Sequence, residues 1–154
     1  MRVLDRLTGA LPLILMLCSA AAMAQSPVAQ VVACPWLTQG TAAKALGGDI
    51  SVSVKLGSVT EGVCQFSRLD RPEAFLKVEV SKGVLAGCGA GSTALKGIGN
   101  EALRCVLPAG ETISGRVREL NFTLTLAGRE KSGSESTHED VLKPIAELVA
   151  GNLF

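Results

Sequence analysis

Aromatic residues are scarce in this chain of 154 residues, which has one Trp, four Phe and no Tyr. It therefore lacks the stacking platforms on which proteins lay nucleic-acid bases. An excess of one charge is missing as well: 15 basic residues face 14 acidic ones. A balanced chain has no general attraction for phosphate backbones or anionic membranes. Both absences exclude nucleic acid as a partner. Histidine occurs once, at His138, within the polar run Ser136-Thr137-His138-Glu139-Asp140. Any imidazole mechanism has that single centre, and no G-x-S-x-G elbow accompanies it. No C-x-x-C pair exists to build a four-thiolate zinc site. The sequence thus predicts no catalytic residue, no metal ligand and no cofactor.

Long apolar runs are also lacking. Leu11 to Leu17 falls well short of the roughly 20 residues that span a bilayer, and nothing downstream replaces it. The run belongs instead to an ordered leader: Arg2 and Arg6, then the apolar stretch, then Ala22-Met23-Ala24. That order predicts a signal peptide over residues 1–24, and hence export to the periplasm or beyond. Cys18 ends the apolar run where a lipoprotein would carry its lipidated cysteine. Leu17 before it is larger than the small residue such sites use, so release is expected rather than lipid anchoring. Removing Arg2, Asp5 and Arg6 with the leader leaves 13 basic and 13 acidic residues. The mature chain, expected to be one domain over 34–154 after a lead-in at 25–33, is long enough for a genuine core.

Four cysteines remain, at 34, 64, 88 and 105. An even number in an exported chain reads as two disulfides. Of the three pairings open to four cysteines, Cys34 with Cys64 and Cys88 with Cys105 is preferred, because it closes two local loops that do not cross.

The order of elements is legible from periodicity. Thr38 is placed to cap a short helix through Ala42, Ala43, Ala45 and Leu46, which Gly47-Gly48 stops. Six stretches then alternate at the period of a half-buried strand. Their expected inward sets are Val52, Val54 and Leu56; Cys64 and Phe66; Leu76, Val78 and Val80; Leu103, Cys105 and Leu107; Ile113, Gly115 and Val117; and Phe122, Leu124 and Leu126. Clean alternation favours an antiparallel sheet with a wet face. After a polar stretch at 128–136, Thr137 to Leu153 carries an apolar stripe of Val141, Leu142, Ile145, Leu148, Val149 and Leu153. Thr137 and Asp140 stand at capping-box spacing. Pro144 requires that this helix either kink or begin its regular part near that residue. The expected fold is α+β: an antiparallel sheet of about six strands with a short N-terminal helix and an amphipathic C-terminal helix packed on it.

Candidate sites are few. Gly97-Ile98-Gly99-Asn100-Glu101-Ala102 fits G-x-G-x-x-A, but a strand follows it where a dinucleotide site needs a helix, so it reads as a glycine turn. Trp36 reads as a buried anchor beside Cys34, with a carbohydrate platform as the sharper alternative. Arg104, Arg116 and Arg118 are expected on one outer face, as an anion or partner surface or paired with Glu79, Glu101 or Glu119.

Several segments resemble small exported bacterial proteins of unknown function. Cys34-Pro35-Trp36-Leu37-Thr38 with Leu46-Gly47 and Cys64-Gln65-Phe66 is similar to their Cys-x-Leu-Leu-Thr helix opening, Leu-Gly stop and strand cysteine. The Gly97–Ala102 turn and Ile145-Ala146-Glu147-Leu148-Val149 look like segments of related lipoproteins and extracellular kinase-sensor domains. The resemblance implies an α+β domain and a Cys34–Cys64 bridge, and carries no catalytic residue with it. The function expected is a non-enzymatic binding or interaction domain of the cell envelope, whose partner is an envelope protein or a small ligand. The alternatives are a small secreted hydrolase using carboxylates, and an inhibitor of an exported enzyme presenting a loop such as Gly87 to Gly91. Oligomeric state is left open.

Overall fold

Alternation along the chain becomes seven strands and two helices in a computed structural model, which describes residues 33–58, 60–85, 87–88, 91–128 and 140–154. The expected leader with Cys18, most of the lead-in, Thr137 and His138 lie outside the described residues. Helix α1 spans Gln39–Leu46. Thr38 Oγ1 accepts from the Thr41 amide at 3.2 Å, which satisfies one of the amides that a helix start leaves without a partner. The helix stops at Gly47, whose φ of 73° is left-handed and costs a glycine nothing.

Strands follow as β1 (Ile50–Leu56), β2 (Gly62–Arg68), β3 (Phe75–Lys82), β4 (Thr93–Leu95), β5 (Glu101–Leu107), β6 (Gly110–Val117) and β7 (Leu120–Ala127). They form one antiparallel sheet in the order β1-β2-β3-β7-β6-β5-β4. The six-strand expectation was one short. Thr93-Ala94-Leu95 is too brief for its alternation to register, and only its pairing with β5 makes it a strand.

Both helices lie on one side of the sheet. Register aligns Cys64 with Val78, Val78 with Leu124 and Leu124 with Ile113 across that face, and each is fully buried. Trp36, Leu37 and Ala42 join the core over β1 to β3, while Leu142, Ile145, Ala146 and Val149 of α2 (Leu142–Asn152) cover β6 and β7. Each large apolar side chain buried this way contributes about 1.5–3 kcal/mol. Pro144 falls in the first turn of α2, where no intrahelical acceptor awaits an amide, so it does not break the helix. Asp140 supplies the cap, its Oδ1 accepting from Lys143 N–H at 3.0 Å.

The connection from β3 to β4 must pass three intervening strands, and it does so on the face away from the helices. Asn121 Nδ2 donates to Gly83 C=O at 2.7 Å, and Cys88 is bonded to Cys105. This crossover explains why Ser114 and Asn121, polar residues on the far face, are only 2% and 5% exposed. It also corrects the expected phase of β5. Leu103, Cys105 and Leu107 stand on the far face, and Ala102 and Arg104 turn toward the helices, since Ala102 pairs with Gly115 and Arg104 with Ile113. Cys105 is buried by the crossing chain rather than by a helix, and Leu107 remains half exposed. Leu56, at the open end of β1, is likewise more exposed than its alternation predicts.

Candidate functional site

Disulfides join Cys34 to Cys64 and Cys88 to Cys105, each with Cα atoms 5.8 Å apart. The first ties the segment before α1 to the middle of β2 on the helix face. The second pins the crossover to β5 on the far face. Closed loops of this size stabilise by about 3 kcal/mol each in the chain-entropy account, and two such bonds fit an oxidising compartment. Among the described residues no helix is long and apolar enough to cross a membrane.

The three arginines of the sequence reading do not share a face. Arg104 lies on the helix side, with Nε 2.5 Å from Glu111 Oε1 and Nη1 3.0 Å from Asp140 Oδ2. Burial alone would lower its pKa; the hydrogen bond and charge of Glu111, joined by Asp140, outweigh this and hold it above the ordinary arginine value. Arg116 projects from the opposite face and pairs with Glu101 at 3.0 Å, one of the partners expected for it. Arg118 occupies the β6–β7 turn with φ 56°, a conformation that costs a non-glycine residue about 1 kcal/mol or more. Its amide donates to Asn100 Oδ1 at 2.7 Å, and its guanidinium lies 5.6 Å from the centre of the Phe154 ring. The error came from β5: once its phase is shifted by one residue, Arg104 leaves the face that Arg116 occupies.

Other candidates become structural parts. Trp36 is 3% exposed and its carbonyl accepts from Asn152 Nδ2 at 3.0 Å, so its ring is no sugar platform. The Gly97–Ala102 segment is a turn into β5. Asn100 N–H donates to Arg116 C=O at 2.8 Å, and a Cβ on Gly99, at φ 56°, would strike that same carbonyl. The Asn100 amide is thus committed to β6 and not to a phosphate. Glu111 and Asp140 are the one carboxylate pair that the fold assembles around a cation among these candidates, yet both serve Arg104. Among the described residues no group of three or more His, Cys, Asp or Glu side chains gathers as a metal site.

A concave site does exist on the far face, where β3 begins, β7 ends and the β5–β6 hairpin turns. It has a volume of about 490 Å³ and is lined by Glu73, Phe75, Leu107, Ala109, Gly110, Glu111, Thr125, Ala127 and Gly128. Register explains its floor: Phe75, Ala127, Gly110 and Leu107 form one row across four strands. Gly110 keeps the row shallow in its middle, because a Cβ there would strike the Leu126 carbonyl. Glu73 stands exposed at the rim, while the Glu111 carboxylate is already engaged by Arg104. Sequence reasoning passed over this row, although one signal was present. Phe75 is apolar and out of phase with Leu76, Val78 and Val80, which marks grease on the wet side of a strand. No protein-family model, curated protein or solved structure matches the chain.

Proposed function

We propose that the protein is an exported, non-enzymatic binding domain of the cell envelope, and that its ligand site is the groove at the strand ends. The observation that carries this reading is the apolar row Phe75–Ala127–Gly110–Leu107, with the exposed residue Glu73 among those that line the groove. Clefts of this size with a predominantly apolar lining are the usual form of small-ligand sites. An apolar body with a cationic head fits the two parts together: the body covers the row and the head meets Glu73. The leader and the two disulfides support placing this activity outside the cytoplasm. Kinship with small exported domains related to lipoproteins and kinase sensors belongs to the same proposal.

Titration of the labelled protein with n-hexylammonium, followed through backbone amide NMR shifts, tests it. Shifts should concentrate at Gly110, Thr125, Ala127 and Gly128, and Glu73→Gln should weaken them. Hexanoate, with the same tail and the opposite charge, should bind less well. Equal responses to both probes, or shifts scattered away from the row, would count against the assignment. A hydrolase is less well supported, because Glu111 and Asp140 are both tied to one guanidinium.

A further inference from the structure

A strand at the end of a sheet presents backbone donors and acceptors with no partner, and proteins usually blunt it by brevity, proline, bulges or charge. Among the described residues the sheet ends in β1 and β4, and the two ends differ. β4 has three residues, whereas β1 runs for seven as Ile50-Ser51-Val52-Ser53-Val54-Lys55-Leu56, without proline and with one charge. Its register with β2 is unbroken from Ile50↔Arg68 to Leu56↔Gly62. At the two ends of that ladder Leu69 N–H donates to Asp49 C=O at 3.0 Å, and Gly57 N–H donates to Glu61 C=O at 2.9 Å. These bonds set the phase. Bonded residues alternate in an antiparallel pair, so the odd-numbered residues of β1 bond β2. The amides and carbonyls of Ile50, Val52, Val54 and Leu56 therefore point away from the sheet. Their side chains stand on the helix face, where Val52 and Val54 are half-buried and Leu56 is 42% exposed.

The geometry points to antiparallel pairing of β1 with β1 of a second copy, about a two-fold axis through Ser53. In this register Val52 bonds the partner's Val54 and Ile50 bonds the partner's Leu56, using only groups that β2 leaves open. The two-fold is perpendicular to the sheet, so the apolar stripe of one copy continues into that of the other on one face. On the far face Ser53 meets its own copy, and Lys55 stands opposite the partner's Ser51. Lys55 is then diagonal to the partner's Asp49, a separation of about 7–8 Å that long side chains bridge. Symmetry repeats that opposite-charge contact, and no like charges are brought face to face. A second copy satisfies the ladder, the stripe and both charges at once, whereas an unrelated extended peptide is matched only to the ladder. The surface is separate from the ligand groove, and the proposal does not depend on it.

Sedimentation velocity over a range of concentrations tests this on protein exported from cells that express the full chain. A single strand pair is a small interface, so the dimer fraction should rise with concentration. Ser53→Lys places two ammonium groups on the axis and should leave the protein monomeric with an unchanged circular dichroism spectrum. Val54→Pro removes an outward amide, which an edge strand tolerates, together with a half-buried side chain packed on the core margin, and should act in the same way. Ser53→Cys should give a covalent dimer on mild oxidation, since a residue on this axis faces its copy at a Cβ separation of about 4.5–5.5 Å. Protein that remains monomeric to its solubility limit overturns the proposal, as does a dimer that survives Ser53→Lys. If Val54→Pro fails to fold, the Ser53 variants decide.

Discussion

Arg104 and Asp140 stand 36 residues apart in the chain and meet through a 3.0 Å hydrogen bond from Nη1 to Oδ2. Asp140 spends its other oxygen on the Lys143 amide, capping α2. One carboxylate therefore starts the last helix and fastens that start to β5. The arrangement converts a local signal, an acidic residue at a helix N-terminus, into a tertiary one.

The two duties of Asp140 are separable by mutation. Asp140→Ala removes both and should cost about 1–2 kcal/mol in urea unfolding, mostly through the cap. Asp140→Asn keeps a capping oxygen and should recover most of that loss. Equal costs for the two variants would show that the cap contributes nothing.

Each disulfide should be silent to thiol reagents in protein from its native compartment. Labelling of two or more of the four cysteines under denaturing conditions would contradict the two-bridge framework. Replacing Cys88 and Cys105 together by Ala should cost about 3 kcal/mol and should accelerate hydrogen exchange in β6 and β7 beneath the crossover, where Ser114 and Asn121 lie buried. Replacing Cys34 and Cys64 should instead affect α1 and β2. Identical exchange maps for the two double variants would contradict the separate roles of the bridges.

Gly115 is a matter of space. A Cβ at that position would sit 2.5 Å from the Phe122 ring, which lies against the glycine on the helix face. Gly115→Ala should cost about 1–3 kcal/mol through overpacking. Adding Phe122→Leu should relieve part of that cost, a coupling readable in a double-mutant cycle of thermal unfolding. Strict additivity would mean that the ring is not what the new methyl meets.

Asp70 has its pKa held below the ordinary 3.8, chiefly by the hydrogen bond from Arg68. Arg68 Nε donates to Oδ1 at 2.8 Å and Nη2 to Oδ2 at 2.5 Å. A depressed folded-state pKa means that the pair supports the fold fully above the unfolded value, and that this support fades as pH falls through the lowered one. The pair is exposed, so its effect on overall stability should be small and weaken further in salt. A carboxyl NMR titration should place the Asp70 midpoint below that of an unpaired aspartate, and Arg68→Gln should raise it.

What could be read in advance was local. Thr38 and Gly47 bound α1 because a hydroxyl that caps and a glycine that tolerates positive φ act within a few residues of themselves. Leu76, Val78 and Val80 reveal their inward face because side chains in a strand alternate whatever the neighbouring strand is. The β5 face was misread for a physical reason. Alternation shows that two sets of residues differ, but not which set the helices cover when a crossing chain buries part of the other. Leu103 and Cys105 therefore looked like core on the helix side. Arg104 looked like surface, and a three-arginine patch followed that the fold does not contain.

Residue order alone dictates the covalent possibilities, the antiparallel α+β class, the limits of α1 and most strand phases, since each depends on spacing and residue type within one turn or one strand. That β3 lies beside β7, so that the intervening chain must cross the far face to reach β4, is set by the packing of the folded sheet. The Phe75–Ala127–Gly110–Leu107 row, the Arg104–Asp140 link and the open edge of β1 all follow from that strand order. Neighbour relations in a sheet are set by which buried faces fit together, and residues distant in the chain carry no mark of it until they meet.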